Sequence, residues 1–544
     1  MMGKFFKWLF YGFMGLFALA FVFLLIGEDG IQVSIGDGAD FTIVSGSENK
    51  ALEPIIKEWG AGEGLTIEVA YRGSVDIARM LADGADAPYD AVWPANGLWT
   101  AMGDKFKVVK FSESILRSPV VLGLKRSIAE RLGWIGRDDL TIAEIAEAAK
   151  KGDFRLAMTS ATQSNSGASA YFGFLHAFAG QPDVLTAAHL EDAGVRDRTA
   201  ALLAAVDRSS GSSGWLKEAF VENPDRFDAM INYEALMIEA NQALIAAGGE
   251  PLYVVYPADG MAVADSPLGY IEKGDKAKAA VFDGIKRHLL SVPVQEQLQD
   301  LGRRASLIGM GAGTDPAVWN PDWGIDGSRS IAPIPTPAPE VIQEALRIYQ
   351  TDLRKPSLTV WLLDVSGSME GEPIDKLREA MALLFDPTAS SLSLLQPSAR
   401  DIAIVIPFNS APGAAWRVDG NDPAALRAMI ADIRRLRAGG GTDVYAAGLA
   451  ALDALDPFAA EGTLFDRLPA IIALTDGASS IENRELFLEA LAERSYGRDI
   501  PIHAIALGEA DERQLDELNA ATVGRLFDAR TDMAKALKSA KGYN

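Results

Sequence analysis

The chain has 544 residues and a mass of 58.1 kDa, too long for one ordinary domain, so two or three are expected. Asp and Glu number 74 against 51 Lys and Arg, a net charge of −23. A surface this acidic repels phosphate backbones and argues against a nucleic-acid partner. There is no Cys, and the four His (His176, His189, His288, His503) never fall at HExxH-type spacing. Disulfides, thiolate metal sites and cysteine nucleophiles are thereby excluded, and zinc hydrolysis and haem ligation are disfavoured.

Trp8 to Ile26 is a run of 19 residues without a charge. At a rise of about 1.5 Å per residue it just crosses a hydrocarbon layer of about 30 Å. Lys4 and Lys7 precede it and Glu28 and Asp29 follow it, so the N-terminus should stay cytoplasmic and the bulk of the chain lie outside. Ala18-Leu19-Ala20 sits inside the apolar run instead of after it, which favours an uncleaved anchor over a secretory signal. The expectation is a cytoplasmic tip and transmembrane anchor over residues 1–27, then a Gly- and Asp-rich linker over 28–37.

Residues 38–330 alternate strand and helix patterns. Phe41–Val44, Leu65–Ala70 and Asp90–Trp93 read as strands, with helices over Ala51–Trp59 and Val75–Leu81 between them. Such alternation predicts a parallel sheet covered by helices. Pro119–Leu124 and Leu252–Tyr256 are continuous apolar runs of buried-strand type. They bracket a middle segment with its own helices, Thr141–Lys151 and Ala235–Ala247 among them, which predicts a two-lobed clamp hinged near 118–124 and 252–256. Ser328 to Glu340 holds four prolines and reads as a semi-rigid spacer; with the helical stretch Val341–Leu353 it makes residues 328–355 the main boundary.

Residues 356–544 form a second α/β unit. Leu358–Leu363, Ile402–Pro407, Ala470–Leu474 and Ile502–Ala506 read as strands, with helices such as Lys376–Leu384 and Tyr445–Leu455 between them. This predicts a doubly wound, Rossmann-like open sheet whose ligands bind at the carboxyl ends of the strands.

Three segments of this unit carry metal chemistry. Asp364-Val-Ser366-Gly-Ser368 follows the first strand, Thr442 stands in Gly439-Gly-Gly-Thr-Asp443, and Asp476 follows the strand ending at Leu474. The topology would gather two carboxylates and three hydroxyls in one crevice. That all-oxygen set suits Mg²⁺, with waters in the remaining positions and one place open to a carboxylate from another molecule. An aspartyl-phosphate hydrolase would want a carboxylate where Ser366 stands, and the Gly-rich loop lacks the Gly-Lys-Ser/Thr ending of a P-loop. The pattern resembles the metal-ion-dependent adhesion site (MIDAS) of von Willebrand factor A (VWA) domains. The resemblance covers residues 356–544 and implies Ser366, Ser368 and Thr442 as direct ligands, with Asp364 and Asp476 acting through water. It implies Mg²⁺ as the ion, with Mn²⁺ or Ca²⁺ as alternatives, and a protein partner presenting a carboxylate.

In the first unit, Ser45-Gly-Ser47, Gly73-Ser74 and Ser164-Asn165-Ser166-Gly167 each stand before a helical run. Hydroxyls and free backbone N–H groups at helix starts suit anions; each alone reads more readily as a helix cap than as a ligand, and the three together on two hinged lobes favour a binding cleft. The strings IVSGSEN, LEPIIKEW, RGSVDIARML, APYDAVWPANGLW, SNSGASAYFGF and INYEAL resemble type 2 periplasmic solute-binding proteins, the molybdate and oxyanion group especially. That resemblance covers residues 38–330 and places Tyr233 where the group supplies a tyrosine hydroxyl. It implies Ser45, Ser47, Ser74, Asn165, Ser166 and Tyr233 as solute contacts. Glu234, Glu48 and Asp76 bring carboxylates to the same region, which admits a ligand with an amine or a bound cation.

Anchor, clamp and metal-site domain together resemble bacterial inner-membrane proteins that join a substrate-binding domain to a VWA domain. The expectation is a non-enzymatic binding protein, single-pass, with its bulk periplasmic. It would capture a small solute, an oxyanion for instance, in the clamp and engage a protein partner through the metal site. A scaffold whose clamp has lost its ligand and a receptor feeding an ABC permease are the rival readings. No general base paired with a nucleophile supports an enzyme.

Overall fold

The computed structural model describes residues 38–305, 314–392, 394–476, 478–508, 510–530 and 533–542. The expected anchor at 1–27 and linker at 28–37 lie outside the described residues. Among the described residues, no helix is long and apolar enough to cross a membrane.

The first sheet has the order Ile67–Tyr71, Phe41–Ser45, Ala91–Trp93, Pro267–Ile271, Val109–Ser114. Its first three strands are parallel, and Pro267–Ile271 runs antiparallel to both neighbours. The lobe is therefore built from two separate pieces of chain. All five residues of Phe41–Ser45 are buried, as expected of a strand covered on both faces. The second sheet has the order Val263–Ala264, Ser118–Lys125, Ala229–Tyr233, Leu156–Thr159, Val206–Ser210, with Leu252–Val255 also paired to Ser118–Lys125.

This topology relocates the expected hinges. Ser118–Lys125 and Leu252–Val255 are antiparallel partners inside the second sheet, with Leu122 opposite Val255. The chain passes between lobes at residues 115–117 and again at 265–266, where the strands of one sheet give way to those of the other. An apolar run reports burial, and the crossing points carry no such signature.

The proline-rich segment is also more than a spacer. Ile331 is buried in the clamp core, and the Ile334 N–H donates to the Met261 carbonyl at 2.9 Å. The helix Pro339–Ile348 buries Ile342, Ala345 and Leu346 in the core of the second lobe, where Tyr171 donates its hydroxyl to the Ala345 carbonyl. Proline forbids regular pairing in this stretch, but the isoleucines beside it still bury apolar surface. The boundary between the two α/β units falls after Leu353.

The C-terminal unit is a six-stranded sheet in the order Trp416–Asp419, Ile402–Phe408, Ser357–Asp364, Leu468–Thr475, Ile502–Ala506, Leu526–Asp528. Numbered within the unit this is 3-2-1-4-5-6, parallel throughout except for the edge strand Trp416–Asp419. Helices Glu372–Phe385, Pro423–Arg435 and Met533–Lys541 cover one face. Val444–Ala460 and Arg484–Glu493 cover the other. Ser357–Asp364 and Leu468–Thr475 are buried along all eight residues each, which explains their largely apolar sequence. The expected doubly wound sheet is thus observed, and its strand order reverses between these two central strands.

Residues Ile35–Asn544 form one compact unit, so clamp and C-terminal sheet pack together. Lys355 donates to the Val206 carbonyl at 3.0 Å, Arg208 to the Val523 carbonyl at 2.7 Å, and Gln163 to the Lys538 carbonyl at 2.8 Å. Trp215 packs against the cores of both units.

Candidate functional site

Two sites were expected, one at the lobe boundary and one at the strand ends of the C-terminal sheet. The first draws on helix starts from both lobes. Helices Asn165–Phe178 and Ser213–Glu222 begin there from the second lobe, and Ser47–Leu52 and Ser74–Met80 from the first. No side chain caps the start of Asn165–Phe178. The hydroxyls of Thr159, Ser164, Ser166 and Ser213 form one buried network, with Ser166 2.7 Å from both Thr159 and Ser213 and Ser164 2.8 Å from Ser213.

The lobes touch across this region. The Ser47 hydroxyl accepts from Ser212 Oγ at 3.2 Å and from the Gly214 N–H at 3.3 Å. Trp99 donates its indole N–H to Asn165 Oδ1 at 2.6 Å, and Asn165 Nδ2 donates to the Tyr233 hydroxyl at 2.9 Å. A Cβ at Gly73 would stand 2.2 Å from the Gln163 carbonyl oxygen, so glycine is what permits the two backbones to meet. The other expected contacts bond within their lobes. Ser45 Oγ accepts from Asn49 Nδ2 at 3.1 Å and donates to the Trp93 carbonyl, and Ser74 Oγ accepts the Ala95 N–H at 3.3 Å. All six expected solute residues therefore lie at or beside the lobe boundary, and Ser47 and Asn165 bridge it.

The three carboxylates meet different fates. Glu234 is 1% exposed and held bidentately by Arg304, Nε at 2.6 Å and Nη2 at 2.7 Å, with the Tyr256 hydroxyl as a further donor. Its charge is matched, so it does not oppose an anion. Asp76 pairs with Arg79 at 2.8 Å and lies 3.5 Å from Lys538 of the C-terminal unit. Glu48 has an Oε1 buried without a hydrogen-bond partner. Burial pushes its carboxyl up to about 7, against the opposing pull of its own backbone N–H and of Arg303.

Sequence reasoning missed Arg303 and Arg304. Both are essentially buried, and they stitch the lobes near a crossing point. Arg303 donates to the Glu48 carbonyl at 3.0 Å and to Glu239 at 2.5 Å, while Arg304 exchanges backbone hydrogen bonds with Arg117. Adjacent arginines beyond the last helix of an acidic clamp are the one trace they leave in sequence.

The second site lies at the reversal of strand order. Asp364 ends its strand with 0% exposure; its Oδ1 accepts the Ser366 N–H at 2.8 Å and its Oδ2 accepts from Thr475 at 2.5 Å. Ser366 Oγ and Ser368 Oγ are 3.0 Å apart, and Ser368 donates to Asp476 Oδ1 at 2.7 Å. The Gly-rich loop is drawn in by backbone bonds, Gly367 N–H to Gly440 at 2.9 Å and Gly439 N–H to Val365 at 2.8 Å. The Ser480 N–H donates to the Thr442 carbonyl, which fixes Thr442 between these segments. Asp443 is occupied as the cap of the helix Val444–Ala460. Four of the five expected residues thus join in one hydrogen-bonded chain, with Thr442 in the adjoining loop. Burial holds the Asp364 carboxyl above its ordinary range, and the neighbouring Asp476 adds to the rise. The donor set fits a hard divalent cation: two buried carboxylates and the buried Ser366 hydroxyl stand beside the exposed Ser368 and half-buried Thr442 hydroxyls in one crevice. His, Asp and Glu alone form no group of three suited to a metal among the described residues, so the fit depends on the hydroxyls.

Residues 41–282 match a sequence family described as bacterial extracellular solute-binding protein. The match spans most of the clamp and leaves the C-terminal sheet outside it. No curated protein matches the chain. Among solved structures, similarity extends to the ferric binding protein from Campylobacter jejuni, at 14% identity and a TM-score of 0.42, over 57% of this chain and 98% of that one. The sulfate-binding protein SubI from Mycobacterium tuberculosis is similar at 18% identity and a TM-score of 0.36, over 55% and 92%. A von Willebrand factor type A protein from Catenulispora acidiphila is similar at 17% identity and a TM-score of 0.29, over 35% of this chain and 44% of that one. The chain thus spans less than half the length of that last protein.

Proposed function

We propose that the protein captures a small solute between the two lobes and engages a protein partner through a divalent cation held by the C-terminal sheet. The observation that carries the first half is the uncapped start of Asn165–Phe178 facing a buried hydroxyl network, at a boundary where four helices begin. Partial positive charge and oriented donors there favour an oxyanion. The family match over residues 41–282 supports solute capture in an extracytoplasmic compartment, with residues 1–27 as the inner-membrane anchor. The match to a solute-binding family supports a binding role in place of catalysis.

Thermal melting of the full chain in detergent tests this against oxyanions, amino acids and polyamines. A ligand at a hundred times its Kd adds about 2.7 kcal/mol of stability, enough to read as a shift. A shift with one oxyanion that Ser166→Ala removes supports the reading. A flat panel favours the rival scaffold reading, which has its own observation: the candidate solute contacts Ser47 and Asn165 bond across the boundary to Ser212, Gly214 and Trp99. Delivery to an ABC permease leaves the C-terminal site without a role.

For the second half, Ser366, Ser368 and Thr442 are proposed as direct ligands of Mg²⁺, or of Mn²⁺ or Ca²⁺, with Asp364 and Asp476 holding waters and orienting the serines. The open position would take a carboxylate from the partner. Calorimetric titration with Mg²⁺ should show one site that Asp364→Asn weakens at least about tenfold, or 1.4 kcal/mol. An unchanged titration in a folded variant would refute the assignment.

A further inference from the structure

A cavity of about 600 Å³, counting its open mouth, lies where the second lobe, the segment Tyr349–Ser357 and the C-terminal helix meet. Three cations line it, Arg354, Lys355 and Lys541, and no carboxylate does. In a chain of net charge −23 this clustering runs against the average composition. Arg354 is already engaged: its guanidinium grips Asp401. The two lysines are hydrogen-bonded only to backbone carbonyls among the described residues. Lys355, 9% exposed, uses its ammonium on the Val206 carbonyl at 3.0 Å, and Lys541 donates to the Leu395 carbonyl. An ammonium carries three donors, and among the described residues no carboxylate lies at ion-pair distance from either lysine. Ser160, Ser209 and Gln350 add polar atoms to the wall.

We propose that this cavity is a second ligand site, separate from the lobe boundary, which takes a small tetrahedral oxyanion of the size of inorganic phosphate. Two like charges held in one partly buried concavity repel each other, and an anion between them relieves this. The engaged fork of Arg354 leaves no planar bidentate grip for a carboxylate, whereas two ammoniums act as point charges on a ligand with several acceptors. Burial already holds both lysines below the ordinary range, Lys541 at about 8, against the partial opposing pull of Asp207 and Asp466 on Lys355 and of Asp401 on Lys541. The cavity also sits behind the boundary loop. Thr162 and Gln163 line it, and Ser164-Asn165-Ser166 continues directly into the candidate solute site. A bound oxyanion would brace that loop against the C-terminal unit.

The test is lysine acetylation of the full chain, read residue by residue by mass spectrometry, with and without millimolar phosphate at constant ionic strength. The site predicts at least about fivefold protection of Lys355 and Lys541, with exposed Lys57 unchanged as the internal control. Phosphate held only at the lobe boundary would leave both lysines unprotected and overturn the proposal. The double variant Lys355→Met/Lys541→Met should weaken calorimetric phosphate binding by at least about tenfold. Full affinity in that variant would also overturn it. Should the variant fail to fold, the labelling of the natural chain decides alone. Protection that appears only after residues 543–544 are removed would mean that the chain's own end fills the cavity, and the ligand site would fall.

Discussion

Glu48 carries the open electrostatic question of the clamp. Glu234 has Arg304 and Asp76 has Arg79, but one Glu48 oxygen is buried without a donor. Its carboxyl is raised from 4.5 to about 7, so between those values the folded chain holds a proton that the unfolded chain has lost. The associated stability is complete below about 4.5 and is lost as the pH rises through about 7. Glu48→Gln mimics the protonated form. It should raise the melting temperature at pH 8 and change it little at pH 5, measured by calorimetry in the absence of solute. Equal shifts at both pH values would place the charge in water. The same residue also bears on ligand choice, because an anion at the lobe boundary meets less repulsion when Glu48 is protonated.

At the scale of elements, closure depends on one glycine. The start of Ser74–Met80 meets the loop before Asn165–Phe178 through Gly73, where even a methyl would overlap the Gln163 carbonyl. Gly73→Ala is therefore expected to hold the lobes apart, because both obstructing atoms belong to backbone. X-ray scattering should show a larger radius of gyration than for the natural chain, and any solute shift should be lost; an unchanged radius would show that the loop yields. How much of this was legible in sequence follows the range of the interactions. Strands such as Ser357–Asp364 were readable because burial on both faces writes a largely apolar run. The meeting of Asp364, Ser366, Ser368 and Asp476 in one hydrogen-bonded chain was readable because spaced motifs at strand ends converge by topology. Arg303, Arg304 and the docking of Pro339–Ile348 were not, since each depends on a partner far along the chain. Ile342 and Leu346 show helical spacing but say nothing of the core they share with Tyr171, whose hydroxyl bonds the Ala345 carbonyl. The hinges were misplaced for a related reason. Apolar pattern marks what is buried, and a crossing between lobes is defined only by which sheet each strand joins.

In the whole molecule, the C-terminal helix Met533–Lys541 touches both lobes. Lys538 accepts from Gln163 of the second lobe through its carbonyl at 2.8 Å, and its ammonium lies 3.5 Å from Asp76 of the first. Rigid separation of the lobes cannot keep both contacts. Any separation of the lobes would therefore cost the C-terminal unit one of these contacts, which is the physical requirement for one site to sense the other. The pair Lys538–Asp76 is partly exposed, with side chains 23% and 37% accessible, so its share is at most about 1 kcal/mol. That corresponds to about a fivefold change in the equilibrium between open and closed forms. Lys538→Ala should then speed hydrogen exchange up to about fivefold in the peptide containing Gly214, whose N–H bonds to Ser47 across the lobes. Exchange in the central strand Ser357–Asp364 should stay unchanged, since it lies in the core of the other unit. Unaltered exchange at Gly214 would mean that the helix rests on the clamp without holding it. A faster rate at Gly214 would show that closure is stabilised from the C-terminal unit, and reciprocity then requires solute capture to stabilise that unit by the same factor.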